Sequence, residues 1–265
     1  MMTDPSQEAR GARSGGRLAG KIAIVTGGNR GIGRAIALRL AREGARLVLA
    51  ARDETALGGT AAEIAADGGS ATSFAADLRT PEAPAALVQT TLEACGAIDI
   101  IVSSAGATKR GDFLELTEAD WVDGFALKFF GAVRLIRAAW PHLKGRQGSV
   151  LNIIGIGGRT PGAEFTIGGS VNGAFLSFTK ALADVGVRDG VQVNAINPGW
   201  VRTDRLRQTL ERAAAAAEEL VRKGNIVRLG EPEDIANLAA FILSPQGRLF
   251  QGALVDMDGG QTKTL

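Results

Sequence analysis

The sequence has no tyrosine, one cysteine and one histidine among its 265 residues. A single thiol, Cys95, cannot close an intrachain disulfide, so the chain fits a reducing compartment and a cytoplasmic location is expected. The lone histidine, His142, excludes a metal centre built on clustered imidazoles, and no metal site is expected. No apolar run approaches the roughly 20 residues that cross a bilayer, and the N-terminus lacks the apolar core of a signal peptide. Charge of neither sign is in excess: 30 Lys and Arg stand against 28 Asp and Glu, a formal net charge of +2. Neither nucleic acid nor an anionic membrane is implied as a partner, which leaves a small-molecule substrate or ligand as the expected one. What the chain does have is glycine, 36 residues, within a hydrophobic content of 45%, which suits a packed globular protein.

Residues 1–17 are rich in Gly, Ser, Arg and Ala without hydrophobic period and read as a flexible tail. From residue 18 onward, short β-branched runs alternate with helical patterns. Strands are expected at 21–25, 46–50, 70–74, 98–102, 149–154, 191–196 and 253–257. Helices are expected from the glycine-rich turn to about Glu43, then at 81–95, 117–140, 164–187, 204–223 and 233–243. Thr117 is a candidate N-cap with Glu118 and Asp120 in the first turn. Such alternation predicts a single α/β domain over 18–265 built on a doubly wound parallel sheet of Rossmann type.

The first strand runs into Thr26, Gly27, Asn29, Arg30, Gly31, Ile32 and Gly33. A side chain at Gly27 or Gly31 would hinder the tight turn or the approach of a pyrophosphate, and Gly33 lets helix and strand pack closely. The helix N-terminus then presents unpaired N–H groups and a positive dipole end to an anion.

With these residues in order, the chain from about Leu18 to its end resembles the short-chain dehydrogenase/reductase family. The resemblance rests on the glycine turn, Asp77-Leu78, Ser103-Ser104-Ala105-Gly106, Asn194 to Gly199 with Thr203, the run 230–236, and Gly252 through Gly260. It implies that Thr26 and the glycines hold pyrophosphate and ribose, and that Asp77 and Leu78 flank adenine. It further implies that Ser104, Ala105 and Gly106 line the inner ribose and that Pro198, Gly199 and Thr203 fix the nicotinamide amide. It also implies assembly as a homotetramer or homodimer; the apolar face of Trp121, Phe125, Phe129 and Val133 is compatible with that. At the end of the second strand, where NAD-selective sites carry a carboxylate, the expected position is not acidic and Arg52 is adjacent; Arg30 lies in the glycine turn. Two guanidiniums suit a phosphate dianion, so NADP(H) is preferred over NAD(H). Asp53 either starts the next helix or contacts the ribose.

The same resemblance places the family's four catalytic positions. The Tyr position falls on Gly168 and the Lys position, four residues on, falls on Asn172. The Ser position at the end of the fifth strand falls on Gly155, and the Asn position in the long fourth helix falls on Lys128. None matches, and no shift of register supplies a tyrosine. Gly168 cannot act as a general acid, and Gly155 offers no hydroxyl to an oxyanion. The two glycines are expected to enlarge the cavity above the nicotinamide. Lys128 is the candidate replacement, as a cation or as an acid or base when desolvated, and Asn172 is a candidate to hydrogen-bond the ribose hydroxyls; Glu164, Thr166 and Ser170 are the remaining polar residues near the mouth. Three readings follow: an NADP(H)-dependent oxidoreductase acting on an unknown carbonyl or alcohol through an unusual site, a cofactor-binding sensor or regulatory partner without redox catalysis, or a lyase or isomerase using the same pocket.

Overall fold

The computed structural model describes residues 15–213 and 216–263. Seven parallel strands form one sheet in the order β3-β2-β1-β4-β5-β6-β7. The strands are β1 (Ile22–Thr26), β2 (Arg46–Ala51), β3 (Ser70–Ala75), β4 (Ile100–Ser103), β5 (Ser149–Ile153), β6 (Gln192–Pro198) and β7 (Leu254–Met257). Chain order reverses between β1 and β4, the crevice position where doubly wound sheets bind ligands.

Alternate strand residues face opposite helical layers, as a pleat requires. Val25, Leu47, Leu49, Val102 and Leu151 pack with helices α1 (Gly31–Arg42), α2 (Glu54–Ala66) and α9 (Pro232–Leu243). Ile24, Val48, Ile101, Val150 and Val193 pack with α3 (Ala83–Cys95) and α5 (Ala132–Lys144) on the other face. Strand interiors buried on both faces explain why these runs read as continuously apolar.

Several boundaries differ from expectation, each for a physical reason. The expected helix 117–140 is instead α4 (Glu118–Phe125), a π-helical turn (Ala126–Gly131) and α5, which continues through Pro141 to Lys144. Thr117 caps it as expected, in a reciprocal box with Asp120. The expected helix 204–223 is two helices, α7 (Asp204–Ala213) and α8 (Ala217–Gly224), with the extended backbone of Ala216 starting the second; alanine propensity alone made the run look continuous. The remaining long helix is α6 (Thr166–Asp189), ended by Gly190 in the left-handed region. Helix α2, for which the sequence offered only a possible start at Asp53, has the weak glycine-bearing pattern that hides a helix from periodicity.

The tail expected over residues 1–17 lies mostly outside the described residues. Its last member, Arg17, is packed: its guanidinium meets Glu43 at 2.5 Å and its backbone N–H donates to the same carboxylate at 3.3 Å. With Arg39 also on Glu43 at 2.7 Å, the side-chain bond from Arg17 holds the Glu43 carboxyl well below its ordinary range, to about 2.

Asp53 is the N-cap of α2 and accepts from the Ala56 N–H at 2.9 Å. Its carboxylate is thereby engaged in ending a helix rather than directed at a ligand. Replacing Asp53 with Ala should lower unfolding stability by about 1 kcal/mol, measured by denaturant titration, while leaving nucleotide affinity unchanged; a loss of affinity with unchanged stability would assign the carboxylate to the ligand instead.

Candidate functional site

The residues singled out in the glycine turn converge at the β1–β4 crevice. The Thr26 hydroxyl accepts the backbone N–H groups of Ser104 and Ala105, both at 3.1 Å, and donates to the Val102 carbonyl at 3.4 Å. This threonine therefore stitches the end of β1 to the end of β4. A Cβ on Gly27 would stand 3.1 Å from Ala105 backbone, and one on Gly33 would stand 2.2 Å from the Gly27 carbonyl oxygen. Substitution at Gly33 would thus force the turn open. Helix α1 begins at Gly31 with no side-chain cap at Arg30 and no acid in its first turn. Its N–H groups and dipole are left to an external anion. A Cβ on Gly31 would approach Thr203 at 3.4 Å, so Thr203, from the loop after β6, closes the opposite side. Gly199 lies against Asp258, with no room for a side chain. The cradle shaped by Gly27 and Gly31, the uncapped helix and the guanidiniums of Arg30 and Arg52 form a donor set that fits a dinucleotide phosphate. Arg52 is 64% exposed and lies 3.9 Å from Asp77, which leaves it available to a phosphate. Burial opposes charge on Asp77, but the Arg79 N–H and the neighbouring arginines hold its carboxyl below the ordinary value. Leu78 is buried, Gly106 lies in the loop after β4, Pro198 ends β6, Asn29 lies in the glycine turn and Ile32 in the first turn of α1.

At the inner end of the crevice stand Lys128, Asn172 and Gly155, residues singled out from the sequence. Lys128 projects from the π turn, and its ammonium donates to the Ile154 carbonyl and to Asn172 Oδ1 at 2.6 Å. Asn172 is buried on α6 and passes the chain of bonds on, its Nδ2 donating to the Gly155 carbonyl at 3.3 Å. Lys128, Asn172, Gly155 and Ile154 are thus brought together by three elements. The wider turn of a π-helix changes the direction of the side chains it carries, and Lys128 sits within it. An ammonium has three protons, and two are engaged. Burial, with the nearby Arg205 cation adding to it, pushes the Lys128 ammonium down to about 7. The group therefore exchanges a proton near neutral pH.

The expected enlargement of the cavity does not occur at Gly168. A Cβ there would stand 2.0 Å from the Phe165 ring, and one at Gly157 would stand 2.7 Å from it. Phe165 fills the volume that the glycine leaves, which keeps the interior close-packed. Gly155 has a φ of +121° and its Cβ would meet Asn172 Nδ2 at 3.4 Å, so backbone conformation and not only space favours glycine there. A cavity of about 680 Å³ lies between α1 and the α7–α8 region, where Gly31, Thr203, Leu206 and Leu229 line it.

Of the other polar candidates, Ser170 and Glu164 are exposed, and Glu164 engages the Gly111 N–H through its backbone carbonyl at 3.2 Å. The Thr166 hydroxyl is buried without a partner among the described residues. Trp121, Phe125, Phe129 and Val133 are each half-buried, Phe129 packing inward on Phe175 and Phe178, and the exposed apolar residues beside them are Val122 and Phe130. Phe165, Arg110 and Arg205 were not singled out from sequence. Their signal was the juxtaposition of one aromatic with several glycines, and of a basic residue with a helix N-terminus where acids are usual.

Residues 27–262 match the family model described as enoyl-(acyl carrier protein) reductase. The chain is 36% identical over 257 residues to an uncharacterized oxidoreductase of Mycobacterium tuberculosis, covering 93% of this chain and 94% of that one. It is 32% identical to the 3-oxoacyl-[acyl-carrier-protein] reductase FabG of Vibrio harveyi, over 92% of this chain and 98% of that protein. Among solved structures, L-sorbose reductase from Gluconobacter frateurii, complexed with NADPH and L-sorbose, superposes with a TM-score of 0.88 at 31% identity, covering 95% of this chain and all (100%) of that one.

The lowered proton affinity of Lys128 has a stability consequence. The unfolded chain holds a proton on this amine up to about 10.5, the folded chain only to about 7. Between those values the unfolded state binds more protons, so this group makes stability rise with pH across the window and its cost is full below it. Lys128→Met should remove that rise from the pH dependence of the denaturation midpoint; an unchanged profile between pH 7 and 10 would show that the amine keeps its ordinary affinity.

Proposed function

Because the chain belongs to the short-chain dehydrogenase/reductase family of oxidoreductases, we propose that it is an NADP(H)-dependent oxidoreductase of a carbonyl or alcohol substrate, working through an atypical site. The observation that carries this reading is the contact of Lys128 with Asn172 and the end of β5. On this reading the positions that hold Ser, Tyr, Lys and Asn in the family are Gly155, Gly168, Asn172 and Lys128.

NADPH, when bound, supplies the hydride that reduces a carbonyl carbon. Thr26, Gly27, Asn29, Gly31, Ile32 and Gly33 would bind its phosphates and ribose, Asp77 and Leu78 would border the adenine, and Ser104, Ala105 and Gly106 the inner ribose. Pro198, Gly199 and Thr203 would orient the nicotinamide amide. Lys128 Nζ, held by Ile154 and Asn172, directs its third N–H at the substrate oxygen, donates its proton to it as the alcohol forms, and regains a proton from water. A neutral-range ammonium suits this task because donor strength and correct protonation are balanced near the working pH. Asn172 acts by fixing the amine and by presenting its amide to the ribose side.

Three features support the choice of NADP(H): no carboxylate ends β2, Asp53 is engaged as a helix cap, and Arg30 and Arg52 flank the place where a 2′-phosphate would lie. The NADPH complex of L-sorbose reductase is consistent with that choice. The exposed Val122 and Phe130 on α4 and the π turn suit a homodimer or homotetramer contact, and the single cysteine suits a cytoplasmic location.

NADPH should bind more tightly than NADH, and Arg30→Ala with Arg52→Ala should erase the difference, costing about ten-fold or more in the NADPH dissociation constant. Tighter NADH binding would refute the assignment. Across a panel of ketones and oxo acids, NADPH oxidation by the native chain should fall about 10²–10⁴-fold in Lys128→Ala; turnover that the substitution leaves intact would remove Lys128 from the mechanism, and tight NADPH binding without any turnover would favour a cofactor-binding protein without redox catalysis.

A further inference from the structure

Three cations reach the inner end of the cleft from three separate elements. Lys128 comes from the π turn. Arg205, in the first turn of α7, lays its guanidinium on the Gly106 carbonyl oxygen. Gly106 is also the residue against which the Lys128 stem packs, where an added Cβ would stand 3.0 Å from Lys128 Cδ. Arg110, in the loop after β4, stacks 4.0 Å from the centroid of the Phe165 ring, the ring that covers Gly168. One cation thus stands at the floor, one on the side of α7 and one on the aromatic wall.

Neighbouring charges in the same segments form ion pairs, whereas these form none among the described residues. Lys109 pairs with Asp120 at 2.8 Å, and Arg207 pairs with Asp204 at 3.1 Å. Among the described residues no carboxylate forms an ion pair with Lys128, Arg110 or Arg205. Burial disfavours the Arg205 charge, and Arg30 and Arg110 disfavour it further; Arg205 in turn disfavours the Lys128 charge. Glu164 is the one acid that acts on Arg110. A cluster of like charges held close together is relieved by an anion, and a planar guanidinium fork matches an oxyanion with two parallel hydrogen bonds.

We infer that the substrate is a small carbonyl compound carrying a carboxylate or phosphate, with that oxyanion held by Arg110 and Arg205 and the carbonyl oxygen placed at Lys128. The oxyanion contact stands on the arginines alone; placing the carbonyl at Lys128 rests on the oxidoreductase reading above. The Phe165 ring orients Arg110 by stacking beneath it, a contact that favours a guanidinium over an aromatic face. A neutral ketone would leave the cations uncompensated, so the site discriminates against it.

The test uses the full chain saturated with NADP⁺ and isothermal titration with 2-oxobutanoate, its methyl ester and inorganic phosphate. 2-Oxobutanoate should bind at least about ten-fold more tightly than the ester, and Arg110→Gln and Arg205→Gln should each weaken it about 10–100-fold while leaving ester binding and the NADPH dissociation constant unchanged. Competition by inorganic phosphate stronger than binding of the oxo acid would assign the oxyanion to a phosphate source; the reverse would assign it to a carboxylate. Ester binding equal to that of the acid, no binding of either anion, or arginine variants that weaken NADPH instead would overturn the inference. Arginine-dependent binding without NADPH oxidation would leave the oxyanion site standing and sink the oxidoreductase reading. Oxidation of NADPH with neutral ketones, indifferent to both arginines, would do the opposite.

Discussion

A lysine ammonium held against a strand end is the interaction on which the inner half of this cleft depends. Lys128 joins the π turn, α6 through Asn172 and the end of β5 through Ile154. Without it, the Ile154 carbonyl and the Asn172 amide oxygen would lose their donor in a region where unpaired polar groups are costly. The same burial that makes the contact strong lowers the proton affinity of the amine. On the proposed reading structure and chemistry are set by one group: what joins α6 to the end of β5 is also the amine whose proton affinity burial lowers.

The outer half of the cleft follows a separate logic, dominated by backbone. Thr26 ties β1 to β4, Gly33 lets α1 seat on its strand, and the helix N-terminus is left without a cap. These features need small residues and free N–H groups rather than particular side chains. They are compatible with many reactions at the inner end, and function is to be argued from the inner side chains rather than from the fold.

Most of the fold was legible because its signals are local. Strands buried on both faces read as apolar β-branched runs, and the glycine turn combined a strand, a tight turn and a helix within a short span. The π turn was not legible: an amphipathic pattern through 117–140 looks the same whether or not one turn is widened. The break between α7 and α8 was hidden by alanines, which favour helix whatever the tertiary context. At the site, counting residues brought Lys128 and Asn172 to one place, and they do meet. The volume above Gly168 was misjudged because removing a side chain was taken to leave space. In the folded chain Phe165, three residues earlier in sequence, occupies it, and the contact of Arg205 with the Gly106 carbonyl joins residues too far apart in sequence for local pattern to pair.

The central claim is that Lys128 is the proton-exchanging group of this cleft. It is tested most directly by titrating the lysine side-chain amines of the whole protein by nuclear magnetic resonance, with Lys128→Met identifying the signal. The account predicts one lysine titrating near 7, as burial and Arg205 demand, and its signal absent from the variant. A Lys128 signal that titrates only near 10.5, its unperturbed value, would contradict it.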